Sequence, residues 1–198
     1  MTELLAAPAW WDLSTAAGRF TLCPVKADRD LPLIHKWMND PDVARYWELQ
    51  GPVELTAAHL AEQRALTYSE PYLARLSGRP IGYWELYRAA EDRLAAYYPA
   101  QADDVGVHLL IGEPSLRGVG LGATLLTALC DAIQGESRRR IVAEPDERNV
   151  ASVRAFLAAG FRVAGTIRLP EKRATLVIRD LPTRDVPTRD VRIRTVPA

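Results

Sequence analysis

The sequence predicts a mixed α/β fold, one sheet flanked by helices in a single domain. Three observations carry that prediction. The chain has 198 residues, a length that suits one compact domain with a real core. Stretches with strand-like alternation are interspersed with stretches of helical period. Their order is strand, two helices, three strands, helix, strand, helix, two strands. A segment with three glycines in five residues, within RGVGLG at 117–122, lies where a strand passes into a helix.

Each element has a local reason. Residues 1–17 read as a loosely tied arm, although Trp10 and Trp11 favour docking over solvent. GRFTLCPV (18–25) alternates as a strand. A helix follows, with Asp30 as its cap, Pro32 in its first turn and Leu31, Ile34 and Met38 at helical spacing. Asn39-Asp40-Pro41 ends it, and a second helix starts at Thr56. PYLARLSGRPIGYWELYR (71–88) reads as two strands around Ser77-Gly78-Arg79. Alternation places Trp84 and Leu86 on one face of the second strand and Tyr83, Glu85 and Tyr87 on the other. DVGVHLLIG (104–112) is a strand, and LGATLLTALCDAI after the glycine loop is a helix. RRIVAEP is a short strand, NVASVRAFLAAG a helix closed by Gly160, and FRVAGTIRL with RATLVIRD completes the sheet. The tail, 182–198, repeats TRDVPTRDV and reads as an edge strand or a flexible end beyond a domain of residues 18–181.

Charge and cysteine usage exclude several classes. Lysine plus arginine (25) equals aspartate plus glutamate (25), so no global charge points to nucleic acid or an anionic membrane. Cys23 and Cys130 match no metal or redox spacing and read as core residues. The N-terminus lacks a signal-peptide pattern, and no apolar run approaches the roughly 18 residues of a membrane span. The expectation is a cytoplasmic protein, monomer or homodimer, that recognises a small molecule at a local site.

The glycine loop suggests what that site holds. Glycines allow close backbone approach, and a helix N-terminus offers free N–H groups with a positive dipole end, which together cradle a pyrophosphate. The dinucleotide and Walker spacings are both absent. Arg117-x-x-Gly120-x-Gly122 instead resembles the acyl-CoA loop of the GNAT N-acyltransferases, and NVASVRAFLAAGF (149–161) resembles that superfamily's closing motif. The resemblance implies a mostly antiparallel sheet with splayed central strands, into which the pantetheine arm inserts. It also implies acyl-CoA as co-substrate, held by Leu110, Ile111, Arg117, Gly118, Val119, Gly120, Leu121, Gly122, Asn149 and Phe156. Many members carry a tyrosine acid where this chain has Phe156, which reads as a core aromatic.

His108 is the unusual residue of its strand. A neutral imidazole at that cleft is a natural general base for an attacking amine. Asp146 or Glu144, beyond the next strand, is a candidate carboxylate to steady it. HKWMNDPDVARYWEL (35–49), residues 78–113 and VAEPDERN (142–149) narrow the resemblance to the hydroxamate-siderophore acyltransferases, over about residues 18–180. That branch implies His108 and Asp146 as the catalytic pair. It implies direct transfer from acetyl-CoA or succinyl-CoA to the nitrogen of an N-hydroxylated diamine, lysine or ornithine. It uses no tyrosine acid at the Phe156 position, and no metal.

A backbone N–H near Leu109–Ile111 would hold the carbonyl oxygen. His35, Trp37, Trp84, Glu85 and Tyr87, with Trp47, are the acceptor-pocket candidates, while His59 is expected in solvent and Arg138–Arg140 at a solvated helix end. Two rival readings are an aminoglycoside 6′-N-acetyltransferase, which 35–49 and 71–87 also resemble, and a non-catalytic acyl-CoA-binding module.

Overall fold

A computed structural model describes residues 10–137 and 140–180. The chain runs β1 (Trp11–Thr15), β2 (Gly18–Pro24), α1 (Ala27–Met38), α2 (Pro41–Trp47), α3 (Val53–Ala65), β3 (Ser69–Leu76) and β4 (Arg79–Arg88). It continues through β5 (Val105–Ile111), α4 (Leu121–Ser137), β6 (Ile141–Ala143), α5 (Val150–Ala158), β7 (Arg162–Arg168) and β8 (Arg173–Arg179). Among the described residues the eight strands form one sheet, ordered β1-β2-β3-β4-β5-β6-β8-β7. All neighbours are antiparallel except β5 and β6. No helix of the described residues is long and apolar enough to cross a membrane.

Local chemistry explains the hairpin at the sheet's centre. Ser77 (φ 48°) and Gly78 (φ 82°) both take left-handed backbone, the primed turn whose twist suits a two-residue hairpin. The β4–β5 register then sets Glu85 opposite His108 and Tyr87 opposite Gly106. On one face Trp84, Leu86, Val105 and Val107 pack against Leu125 and Leu129 of α4 and Phe156 of α5. On the other, Tyr83 and Leu110 pack against Ile34, Trp37 and Met38 of α1 and Leu60 of α3.

Several expected boundaries move. Trp11–Thr15 is no loose arm but pairs with β2 along its length, and Trp11 is buried. The first helix begins at Ala27, so Asp30 lies inside it and its carboxylate reaches back to the Lys26 N–H at 2.9 Å. Asn39-Asp40-Pro41 ends that helix and at once starts α2, because Asp40 accepts from the Asp42 N–H and proline suits a first helical position. The third helix starts at Val53 rather than Thr56. Arg140 is no solvated end: it forks onto the buried Asp104 at 2.6 and 2.8 Å. Arg138, Arg139 and the 182–198 tail lie outside the described residues.

Candidate active site

The parallel seam between β5 and β6 is short. Val105 pairs with Ile141 and Gly106 with Val142, and beyond them the strands part. The Gly112 N–H turns to Ile81 of β4, so alternation turns the N–H groups of Leu109 and Ile111 toward the opening. A cleft of about 730 Å³ lies there, lined by Leu109, Leu110, Ile111, the glycine loop, Asn149 and Phe156. Gly118 (φ 73°) and Gly120 (φ 83°) bend the loop in backbone that side chains disfavour, which delivers it onto the start of α4.

Within the expected cofactor set, Arg117, Gly118, Gly120, Gly122, Leu110, Ile111, Asn149 and Phe156 border this cleft. Val119 and Leu121 do not: Val119 is 68% exposed, and Leu121 is buried in the core beneath the loop. Arg117 spends its guanidinium on the Ile111 carbonyl (2.8 Å), the Gly112 carbonyl (2.7 Å) and Asp40 (2.9 Å). It therefore ties the loop to β5 and α2. Asn149 caps α5 by accepting from the Ser152 N–H at 3.0 Å. Phe156 meets Phe161 edge-on.

His108 sits at the inner end of the opening in a chain of charged contacts. Its Nδ1 is 2.9 Å from Glu85 Oε2 and its Nε2 is 2.7 Å from Glu144 Oε1. Glu85 also holds His59 Nε2 (2.9 Å) and accepts from the Tyr83 hydroxyl (2.8 Å). Glu144 accepts from the Tyr87 hydroxyl (3.0 Å) and has Lys172 Nζ at 3.5 Å. Ionised carboxylates only accept hydrogen bonds, so a ring protonated on both nitrogens satisfies both contacts. Burial alone favours the neutral ring, but Glu144 and Glu85 outweigh it and raise His108 to about 10. Burial likewise pushes Glu85 and Glu144 up; the histidines on Glu85, and His108 with Lys172 and Tyr87 on Glu144, hold both at about 2.

The two carboxylates favour the charged form of His108 over the neutral base expected there. Its partner also differs from the one expected. Glu144, not Asp146, meets the ring, because Asp146 accepts from the Arg148 N–H (2.8 Å) and guanidinium (2.7 Å).

A second chamber of about 260 Å³ joins the cleft through Trp47, Leu109, Asn149, Ser152 and Phe156. His108, Glu144, Asp146, Glu48, Arg93 and Lys172 border it, and the Trp47 ring stands edge-on to His108. Of the expected acceptor residues, Glu85 and Tyr87 lie behind His108 and Glu144 as their supports. The other three are placed elsewhere. Trp84 is fully buried on the α4 face beside Phe20, and Trp37 is buried beneath Gly112 with its N–H on Glu113. His35 bonds Thr56 and Asn39 between helices. His59, expected in solvent, is instead mostly buried against Glu85. Its signal was available: Thr56, His59 and Leu60 share one helical face, and Thr56 and Leu60 are fully buried.

Residues 26–169 match the family model described as an acetyltransferase (GNAT) domain. The chain belongs to the GNAT acetyltransferases. This GNAT enzyme is 35% identical over 156 residues to a lysine N-acyltransferase, MbtK, of Mycolicibacterium paratuberculosis, covering 78% of this chain and 71% of that one. It is 30% identical over 177 residues to the N-hydroxyputrescine acetyltransferase of Acinetobacter baumannii, covering 89% and 85%. Its fold superposes on the aminoglycoside acetyltransferase AAC(6′)-Ib in complex with coenzyme A with a TM-score of 0.71 and 25% identity, over 81% of this chain and 94% of that one. The GNAT enzyme is an acyltransferase, and GNAT acyltransferases use acyl-CoA. The cleft suits that donor: an apolar, half-unpaired strand on one side and a helix N-terminus with a glycine loop at its end.

Proposed function

We propose that this GNAT enzyme acylates the nitrogen of a hydroxylated amine, making hydroxamates for siderophore biosynthesis from acetyl-CoA or succinyl-CoA. One observation carries the reading. With both ring nitrogens of His108 on carboxylates, the site has no strong base free to strip an ammonium. Such a site suits a nucleophile that is already uncharged near neutral pH, and a hydroxylamine, far less basic than an alkylamine, is one. The names of the two relatives, one acting on lysine and one on N-hydroxyputrescine, agree with a small amine acceptor.

Bound acyl-CoA supplies an activated thioester carbonyl. The N–H of Leu109 or Ile111 stabilises the negative charge that develops on its oxygen. As the C–N bond forms, the nitrogen becomes acidic and Glu144 takes its proton, for which a weak base is enough. As the C–S bond breaks, His108 gives its Nε2 proton to sulfur, filling the role that Phe156 cannot. Glu144 then returns the proton to Nε2 across the 2.7 Å contact, and the pair is reset. Asp146 tightens the chamber wall by holding Arg148.

The test is CoA release from acetyl-CoA and succinyl-CoA with N6-hydroxylysine, N-hydroxycadaverine, N5-hydroxyornithine, lysine and kanamycin. Turnover of a hydroxylated amine well above its parent amine is expected. Turnover of kanamycin alone would assign resistance chemistry and reject the proposal.

A further inference from the structure

We infer that His59 is a positioning residue for the reaction: by donating to one oxygen of Glu85, it sets how tightly the other oxygen holds His108. The consequence for turnover rests on His108 as the acid of the reading above; the coupling between the two rings does not.

One carboxylate serves two histidines. Glu85 Oε2 stands 2.9 Å from His108 Nδ1, and Oε1 stands 2.9 Å from His59 Nε2 on α3. Oε1 also accepts from the Tyr83 hydroxyl at 2.8 Å, and that hydroxyl lies 3.3 Å from the same His59 nitrogen. An ionised carboxylate only accepts, so His59 supplies a proton at Nε2, which neutral and charged rings can both carry. Three elements fix the arrangement. Helix α3 buries Thr56 and Leu60 on the face that carries His59, and His35 of α1 bonds Thr56 there. Strand β4 carries Glu85 and Tyr83, and the Trp47 ring of α2 stands edge-on to His59, Tyr83 and His108.

The chemistry gives His59 a task beyond filling space. Burial opposes the charge of Glu85, and His108 and His59 together outweigh it. Each hydrogen bond given to a carboxylate stabilises its charge and makes it a weaker proton acceptor. What His59 and Tyr83 draw onto Oε1, Oε2 does not offer to His108. The balance matters because Glu144 and Glu85 raise His108, against its burial, to about 10. A ring held that tightly is a slow acid near neutral pH. On its Nε2 side His108 faces Glu144, with Lys172 behind it at 3.5 Å, and the Tyr87 hydroxyl at 3.2 Å. Farther round the chamber, Asp146 pairs with Arg148 and Arg93 with Glu171. His59 and Tyr83 act from the Nδ1 side, through Glu85.

The test reads the His108 ring directly. The chain has three histidines, so each ring of enzyme labelled with 15N-histidine is assigned in NMR spectra by substitution. In His59→Met the pH at which His108 deprotonates is expected to rise by about half a pH unit or more. Its kcat is expected to fall roughly tenfold, with the KM for acyl-CoA little changed. His59→Gln places an amide N–H where Nε2 stood and restores most of both. Tyr83→Phe keeps the ring, removes the other donor to Oε1 and moves the titration in the same direction. An unmoved His108 titration in His59→Met, or an equal loss in His59→Gln, overturns the inference and leaves the hydroxylamine reading standing. Should His59→Met not fold, an unmoved titration in Tyr83→Phe overturns it instead. A titration that moves while kcat keeps its wild-type value upholds the coupling and removes His108 as the acid.

Discussion

The ring of Tyr87 lies so closely over Gly106 that a Cβ on Gly106 would fall 2.1 Å from Cζ. The two face each other across β4 and β5, at the last paired position before β5 and β6 part. Tyr87 in turn holds Glu144 through its hydroxyl. Gly106→Ala is therefore expected to displace the ring, lower kcat by tenfold or more, and cost about 1–3 kcal/mol of stability through overpacking. Tyr87→Phe keeps the ring and removes only the hydroxyl, so it should lower kcat while melting closer to wild type. Thermal melts alongside steady-state kinetics check both.

Glu144 and Asp146 are separable by conservative changes. Glu144→Gln removes the negative charge and the proton acceptor for catalysis beside His108 Nε2 while keeping a hydrogen-bonding oxygen, and His108→Ala removes the ring itself. Each should lower kcat by roughly 10²–10⁴ with the KM for acyl-CoA little changed. Asp146→Asn, which touches Arg148 rather than the ring, should cost less than about tenfold. A larger loss in Asp146→Asn than in Glu144→Gln would return the catalytic carboxylate to position 146.

The buried cluster makes stability depend on pH in both directions. His108 is raised from 6.5 to about 10, so its contribution is complete below 6.5 and lost as pH rises toward 10. Glu85 and Glu144 are lowered from 4.5 to about 2, so theirs is complete above 4.5 and lost as pH falls toward 2. The Tm difference between wild type and Glu85→Gln should be largest between pH 4.5 and 6.5 and shrink on either side. A difference that stays constant from about pH 2 to about pH 10 would show that Glu85 does not hold the charge of His108.

In the loop, Gly120 (φ 83°) lines the cleft with open space around its Cα. Gly120→Ala meets no neighbour, so its penalty is conformational, about 1 kcal/mol or more. The KM for acyl-CoA should rise several-fold while kcat changes less. Initial rates at varied acyl-CoA check the split.

The order of elements was legible because strand alternation and helical period differ, and the parity of β4 put Glu85 and Tyr87 on one face correctly. The helix after Asp40 was hidden because Asn-Asp-Pro can stop one helix and start the next. The partner of His108 was ambiguous for a similar reason. Strand β6 ends at Ala143, and past it alternation no longer says whether Glu144 or Asp146 turns inward. Trp37 and Trp84 misled because large aromatics suit a pocket wall and a core equally; only packing decides.

Strand β5 is interior by position yet an edge over its second half, where nothing from β6 pairs with it. Proteins usually blunt such unpaired ladders, because they template aggregation. Here Arg117 occupies one carbonyl, and the remaining groups face the donor cleft. A donor bound there stabilises the folded chain by mass action, in proportion to the logarithm of its concentration. Occupancy of the cleft by acyl-CoA is then coupled to the stability of the fold as well as to the rate of transfer.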